Sequence, residues 1–98
     1  MVTNNMTELY NLQNAMNGLT NIIKTYAKHT NSEVKTTDDA VSFHLKSLPS
    51  PVETMWFKEL MINISKAHNV RMMYTKEYID HNNIKVTFII KNPKNSGD

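Results

Sequence analysis

The chain has no cysteine, only two glycines and only three prolines among its 98 residues. Without cysteine there is no disulfide framework, no thiolate zinc site and no cysteine nucleophile. The glycines, Gly18 and Gly97, stand too far apart to build a phosphate-cradling loop or a dinucleotide fingerprint, so nucleotide-dependent chemistry is not expected. Long apolar runs are missing too: nothing approaches the roughly 18 residues of a membrane span. The opening stretch, Met1 to Asn5, has neither the basic region nor the apolar core of a secretion signal. A cytoplasmic location is the expectation. Charge of one sign is also lacking, since 11 Lys and Arg face nine Asp and Glu for a net charge of +2. That balance does not announce a dedicated nucleic-acid or membrane binder.

What is present is a globular composition, 40% hydrophobic and 20% charged. Asparagine is the one excess, with 13 residues. Together with abundant lysine and isoleucine it points to A/T-rich coding DNA, as in many phages and low-GC bacteria.

From Met6 to about Lys28, Leu9, Leu12, Met16, Leu19, Ile23 and Tyr26 recur at spacings of three and four, with Ala15, Ile22 and Ala27 beside them. This spacing predicts an amphipathic helix of about six turns. Asn5 and Glu8 have the spacing of a capping box at its start. The same spacing allows a heptad seam and hence a homodimer through helix 6–28, although a broad apolar stripe packed on a sheet fits it better. Gly18 falls on the polar side. Tyr10, Asn14, Asn17, Asn21 and Lys24 make an outward face nearly free of acids, read as solvated.

After the polar break at Thr30, Asn31 and Ser32, residues 33–37 are expected as a short edge strand and Asp38-Asp39 as a turn. Val41, Phe43 and Leu45 alternate with Ser42, His44 and Lys46, the period of a half-buried strand. The clearest boundary is Pro49-Ser50-Pro51-Val52-Glu53. Ser50 can cap, Pro51 suits the first helical position, and Glu53 can return the bond to the cap. The helix that starts there runs to about His68, with Asn69 as a left-handed terminator. At 100° per residue Val52, Trp56, Phe57, Leu60, Met61, Ile64 and Ala67 fall within one half of its circumference, the expected core face. Val70, Met72 and Tyr74, then Ile84, Val86, Phe88 and Ile90, predict a hairpin whose turn is centred on residues 80–83.

These elements predict a single α+β domain over residues 1–92, with a flexible polar tail at 93–98. Its expected form is a two-layer sandwich: two helices on one face of a three- to four-stranded, mainly antiparallel sheet, in the order α-β(β)-α-β-β.

The sequence offers few residues for chemistry. The turn after Asp80 fails as a calcium loop, with Ile84, Lys85 and Lys91 at its fifth, sixth and twelfth positions. No two histidines stand three or four apart, so a helical zinc pair is absent. No cofactor or metal is expected. A small metal-independent ribonuclease would need a general base or acid and cations for the phosphate, for which His44, Lys46, Arg71, Lys76 and His81 are the available groups. A nucleic-acid-binding regulator would use Lys24, Lys28, Arg71, Lys76 and Lys85, with Tyr74, Tyr78 or Phe88 as stacking platforms. The leading expectation rests on Met55 and Ile62, seven residues apart, which project opposite the core stripe of the second helix, flanked by Lys58, Glu59 and Lys66. Methionine is common on adaptable recognition surfaces. The reading is a small non-catalytic protein that binds another macromolecule, with a phage-type accessory protein that inhibits or modulates a host protein through Met55, Lys58, Ile62 and Lys66 as the leading expectation.

Overall fold

A computed structural model describes residues 2–92; the tail expected at 93–98 lies outside them. The chain runs α1 (Val2–Thr30), β1 (Lys35–Thr36), β2 (Ala40–Leu45), α2 (Pro51–His68), β3 (Arg71–Asp80) and β4 (Asn83–Lys91). The four strands form one antiparallel sheet in the order β1-β2-β4-β3, with both helices packed on the same face. This is the expected α+β sandwich.

The local signals explain most boundaries. Ser50 Oγ accepts the Glu53 backbone N–H at 3.1 Å, and a Glu53 carboxylate oxygen accepts the Ser50 N–H at 2.8 Å. That closes the capping box around Pro51. At its other end Asn69 takes the left-handed conformation, φ 53°, and the Val70 N–H bonds back to the Ser65 carbonyl. α1 ends the same way: Asn31 has φ 54°, and the Ser32 N–H bonds to the Ala27 carbonyl. Its start differs from expectation. The helix begins at Val2, so Asn5 lies inside it rather than capping it, because nothing between Val2 and Asn5 breaks helical geometry.

The core is a layer of alternate strand residues beneath two helical stripes. Val41, Phe43 and Leu45 of β2 and Ile84, Val86, Phe88 and Ile90 of β4 are buried, while the residues between them face the open side of the sheet. α1 contributes Ala15, Leu19, Ile23 and Ala27; α2 contributes Phe57, Leu60 and Ile64. Phe57 is the hub. Its ring meets Phe88 at 5.5 Å, Tyr74 at 5.7 Å, Tyr26 at 6.0 Å and Phe43 at 6.1 Å between centroids, all edge-on. Such contacts add to the burial of the rings themselves.

Four assignments are corrected by this packing. Val52 and Ala67, placed on the core face of α2, are exposed: Val52 lies off the arc centred on Phe57, Leu60 and Ile64, and Ala67, though in line with Leu60 and Ile64, sits in the last turn of the helix. Leu9 is 55% exposed, since α1 overhangs the sheet and its buried stripe begins only at Leu12 and Ala15. Gly18 does not face solvent alone: a side chain there would lie 3.7 Å from Ile64 Cδ1 and 3.8 Å from His68 Nε2, so it marks where α1 meets α2. Finally, the seam proposed for a homodimer over 6–28 is largely consumed by the chain's own sheet. Ala15, Leu19 and Ile23 are fully buried there, which leaves Met6, Leu9, Tyr10 and Ile22 as the exposed large apolar residues among those described in this helix.

Candidate functional site

α2 has two apolar faces, and only one is used. Met55 is 62% exposed and Ile62 51%, so neither α1 nor the segment from Thr30 to Asp39 covers them. They stand almost two turns apart on the side away from the sheet, with exposed Lys58, Glu59 and Lys66 around them. One further residue joins this surface, and another is exposed before the helix begins. Val52, 77% exposed, lies three residues before Met55, and Leu48 is exposed just ahead of the helix. Sequence reasoning missed both, although the i, i+3 spacing of Val52 and Met55 was a usable signal.

Val52 also lies one turn before Trp56, which links the stripe to the seam between the helices. There Ile22, Thr25 and Tyr26 of α1 and Trp56 of α2 line a shallow, mainly apolar groove of about 400 Å³. The indole of Trp56 stacks on the Tyr26 ring at 5.0 Å. The Tyr26 hydroxyl donates to a Glu53 carboxylate oxygen at 2.6 Å, tying α1 to the cap of α2. Burial, then the bond to Glu53, pushes the Tyr26 phenol well above its ordinary range. The bond from Tyr26, then the Ser50 N–H, holds the Glu53 carboxyl below its ordinary value. The hydrogen bond to Glu53 holds the Tyr26 ring in the wall of the groove.

A second concavity is polar. His44, Lys46, Asp80, His81, Asn83 and Glu33 line a cleft of about 670 Å³ at one end of the sheet. His44 Nδ1 lies 2.6 Å from Asn83 Oδ1, a contact that orients the imidazole ring. The sequence held no local sign of Asn83 as partner, because the β2–β4 register creates the contact. Of the five ribonuclease candidates, His44, Lys46 and His81 meet here. Arg71 and Lys76 do not: Arg71 begins β3, and Lys76 stands opposite Val86 on the helix-bearing side of the sheet. Among the described residues no group of three or more His, Asp or Glu could hold a metal ion.

The basic residues grouped for nucleic acid are dispersed. Lys24 and Lys28 belong to α1 in the helical layer, Arg71 and Lys85 to the open face of the sheet, and Lys76 to the helix side of β3. They form no single surface. Tyr74 and Phe88, two of the intended stacking platforms, pack in the core cluster, leaving only Tyr78 exposed. No helix among the described residues is long and apolar enough to cross a membrane. Comparison with protein-family models, curated proteins and solved structures finds no match.

Proposed function

We propose that this chain is a non-catalytic binding protein whose partner is another protein, docked on the outer stripe of α2. The observation that carries the reading is the exposure of Met55 and Ile62, continued by Val52, on a helix whose opposite face already fills the core. The stripe is apolar at its centre and charged at its rim, through Lys58, Glu59 and Lys66, the arrangement found at protein interfaces. The asparagine-rich composition supports the narrower reading of a phage-type accessory protein that inhibits or modulates a host protein. The test is affinity capture from host lysate with the wild type beside the double variant Met55→Asp, Ile62→Asp. The expected result is a retained partner that the variant loses, with thermal unfolding nearly unchanged. A large loss of stability in the variant would contradict the reading.

The polar cleft favours a second reading, a small metal-independent ribonuclease. His44, oriented by Asn83, would take a proton from a ribose hydroxyl, with Lys46 and His81 near the phosphate. His44→Ala should then erase RNA cleavage; a wild type without cleavage ends this reading.

A further inference from the structure

The two edges of the sheet are closed to very different degrees. β1 presents only two residues, too short a template for another strand. β3 presents ten, pairs on one side only, and is exposed on both faces from Thr75 to Asp80. Among the described residues no strand lies beside its outward backbone groups.

We infer that β3 pairs antiparallel with β3 of a second copy of this chain, joining the two sheets into one of eight strands. Charge and register select the occupant. Along β3, Arg71 stands directly opposite Lys91 of β4, two cations in register. Like charges placed this way repel. Six residues on, Glu77 lies on the same face of the same strand, with Lys85 of β4 opposite it on the inner side and nothing of its own sheet on the outer. A two-fold axis normal to the sheet keeps odd-numbered residues of both copies on the open face. It therefore permits only registers that pair odd with odd and even with even.

Among those, the register centred on Tyr74 sets Arg71 opposite the second copy's Glu77, twice by symmetry. It also pairs Met73 with Thr75, Met72 with Lys76 and Tyr74 with its own equivalent. Centring on Lys76 would oppose two lysines. Centring on Thr75 places Glu77 against Met73 and draws in the irregularity between Tyr78 and Asp80, where the β3–β4 ladder shifts. The Tyr74 register uses only residues 71–77 and stops short of that bulge. It also brings the 51%-exposed Met73 under cover, beside Ile89 of its own sheet.

The test is the mass of the full chain by light scattering across a concentration series, for the wild type, Arg71→Glu, Glu77→Arg and the double charge swap, with a melt to confirm folding. The wild type is expected to pass from the 11.3 kDa monomer to a dimer. Either single variant should raise the dissociation constant about tenfold, and the double swap should restore it. A wild type that stays monomeric at millimolar concentration overturns the inference. So does a dimer indifferent to both single charge reversals, or one that the double swap fails to rescue.

Discussion

Each half of the molecule, α1-β1-β2 and α2-β3-β4, is a helix followed by two strands, and each helix stops on a left-handed asparagine, Asn31 or Asn69. The halves meet along β2 and β4, where Val41 faces Phe88 and Phe43 faces Val86 across the ladder. Each half thus supplies one valine and one phenylalanine to the same two rungs. What differs is how each treats its remaining apolar surface. The N-terminal half has the long helix and the two-residue edge strand. Apart from Ile22, its exposed large apolar residues, Met6, Leu9 and Tyr10, lie on the overhang of α1. The C-terminal half has the capped helix and the ten-residue edge, and it exposes Leu48, Val52, Met55, Ile62, Met73, Tyr78 and Ile79. A shared core with an unequal surface is the basis on which we propose recognition for the C-terminal half and support for the other.

The equivalence of the two halves in the core can be broken first. Phe43→Ala and Phe88→Ala should each cost about 3–5 kcal/mol, and the two should agree within about 1 kcal/mol by chemical denaturation. Both rings are fully buried, and they stack on each other at 6.3 Å. Costs that differ by several kcal/mol would show that one half dominates the core.

The link between the halves comes next. Tyr26→Phe removes the bond to Glu53 and should cost about 1–2 kcal/mol, since one partner is charged and the site is only partly buried. The pH dependence follows from the directions of the shifts. Glu53 has a lowered value in the folded chain, so its contribution is present above the ordinary carboxylate range and is lost as pH falls through the lowered value. Tyr26 is raised, so its contribution is present below a phenol's ordinary value of about 10 and fades as pH rises beyond it. In Tyr26→Phe both slopes should flatten in unfolding measured from acid to alkali.

A smaller effect of opposite sign sharpens the helix contact. Gly18→Ala should stabilise the fold by about 0.5–1 kcal/mol, because the added methyl meets Ile64 and His68 at ordinary contact distance while the helix loses a flexible residue. A loss of melting temperature would mean that the helices need to approach more closely at that point. The smallest stability effect belongs to the outer stripe. Met55→Asp with Ile62→Asp should stay within about 0.5 kcal/mol of wild type, as substitutions on exposed surfaces do.

Much of this architecture was legible in the sequence because its signals are local. Ser50, Pro51, Glu53 and Asn69 bracket α2 correctly, and the alternation of β2 and β4 places every buried strand residue on the right face. The failures share a cause, which is that a helical wheel does not say where the neighbouring elements stand. Val52 lies on the edge of the apolar arc of α2, and the side from which α1 and the sheet approach leaves it outside. Leu9 keeps perfect spacing with Leu12 and Met16, yet the sheet ends before reaching it. Gly18 turns inward because a second helix comes close, which no spacing within α1 records. The site followed the same rule: Met55 and Ile62 could be read as surplus to one helix, whereas the His44–Asn83 pair depends on strand register.

The central claim is that the C-terminal half recognises a protein through the outer face of α2. The most direct measurement is parallel capture from host lysate by wild type and by the Met55→Asp, Ile62→Asp variant, read by mass spectrometry. The account predicts one set of proteins retained by the wild type and missing from an equally stable variant. Equal retention by both, or a variant that no longer folds, would contradict it.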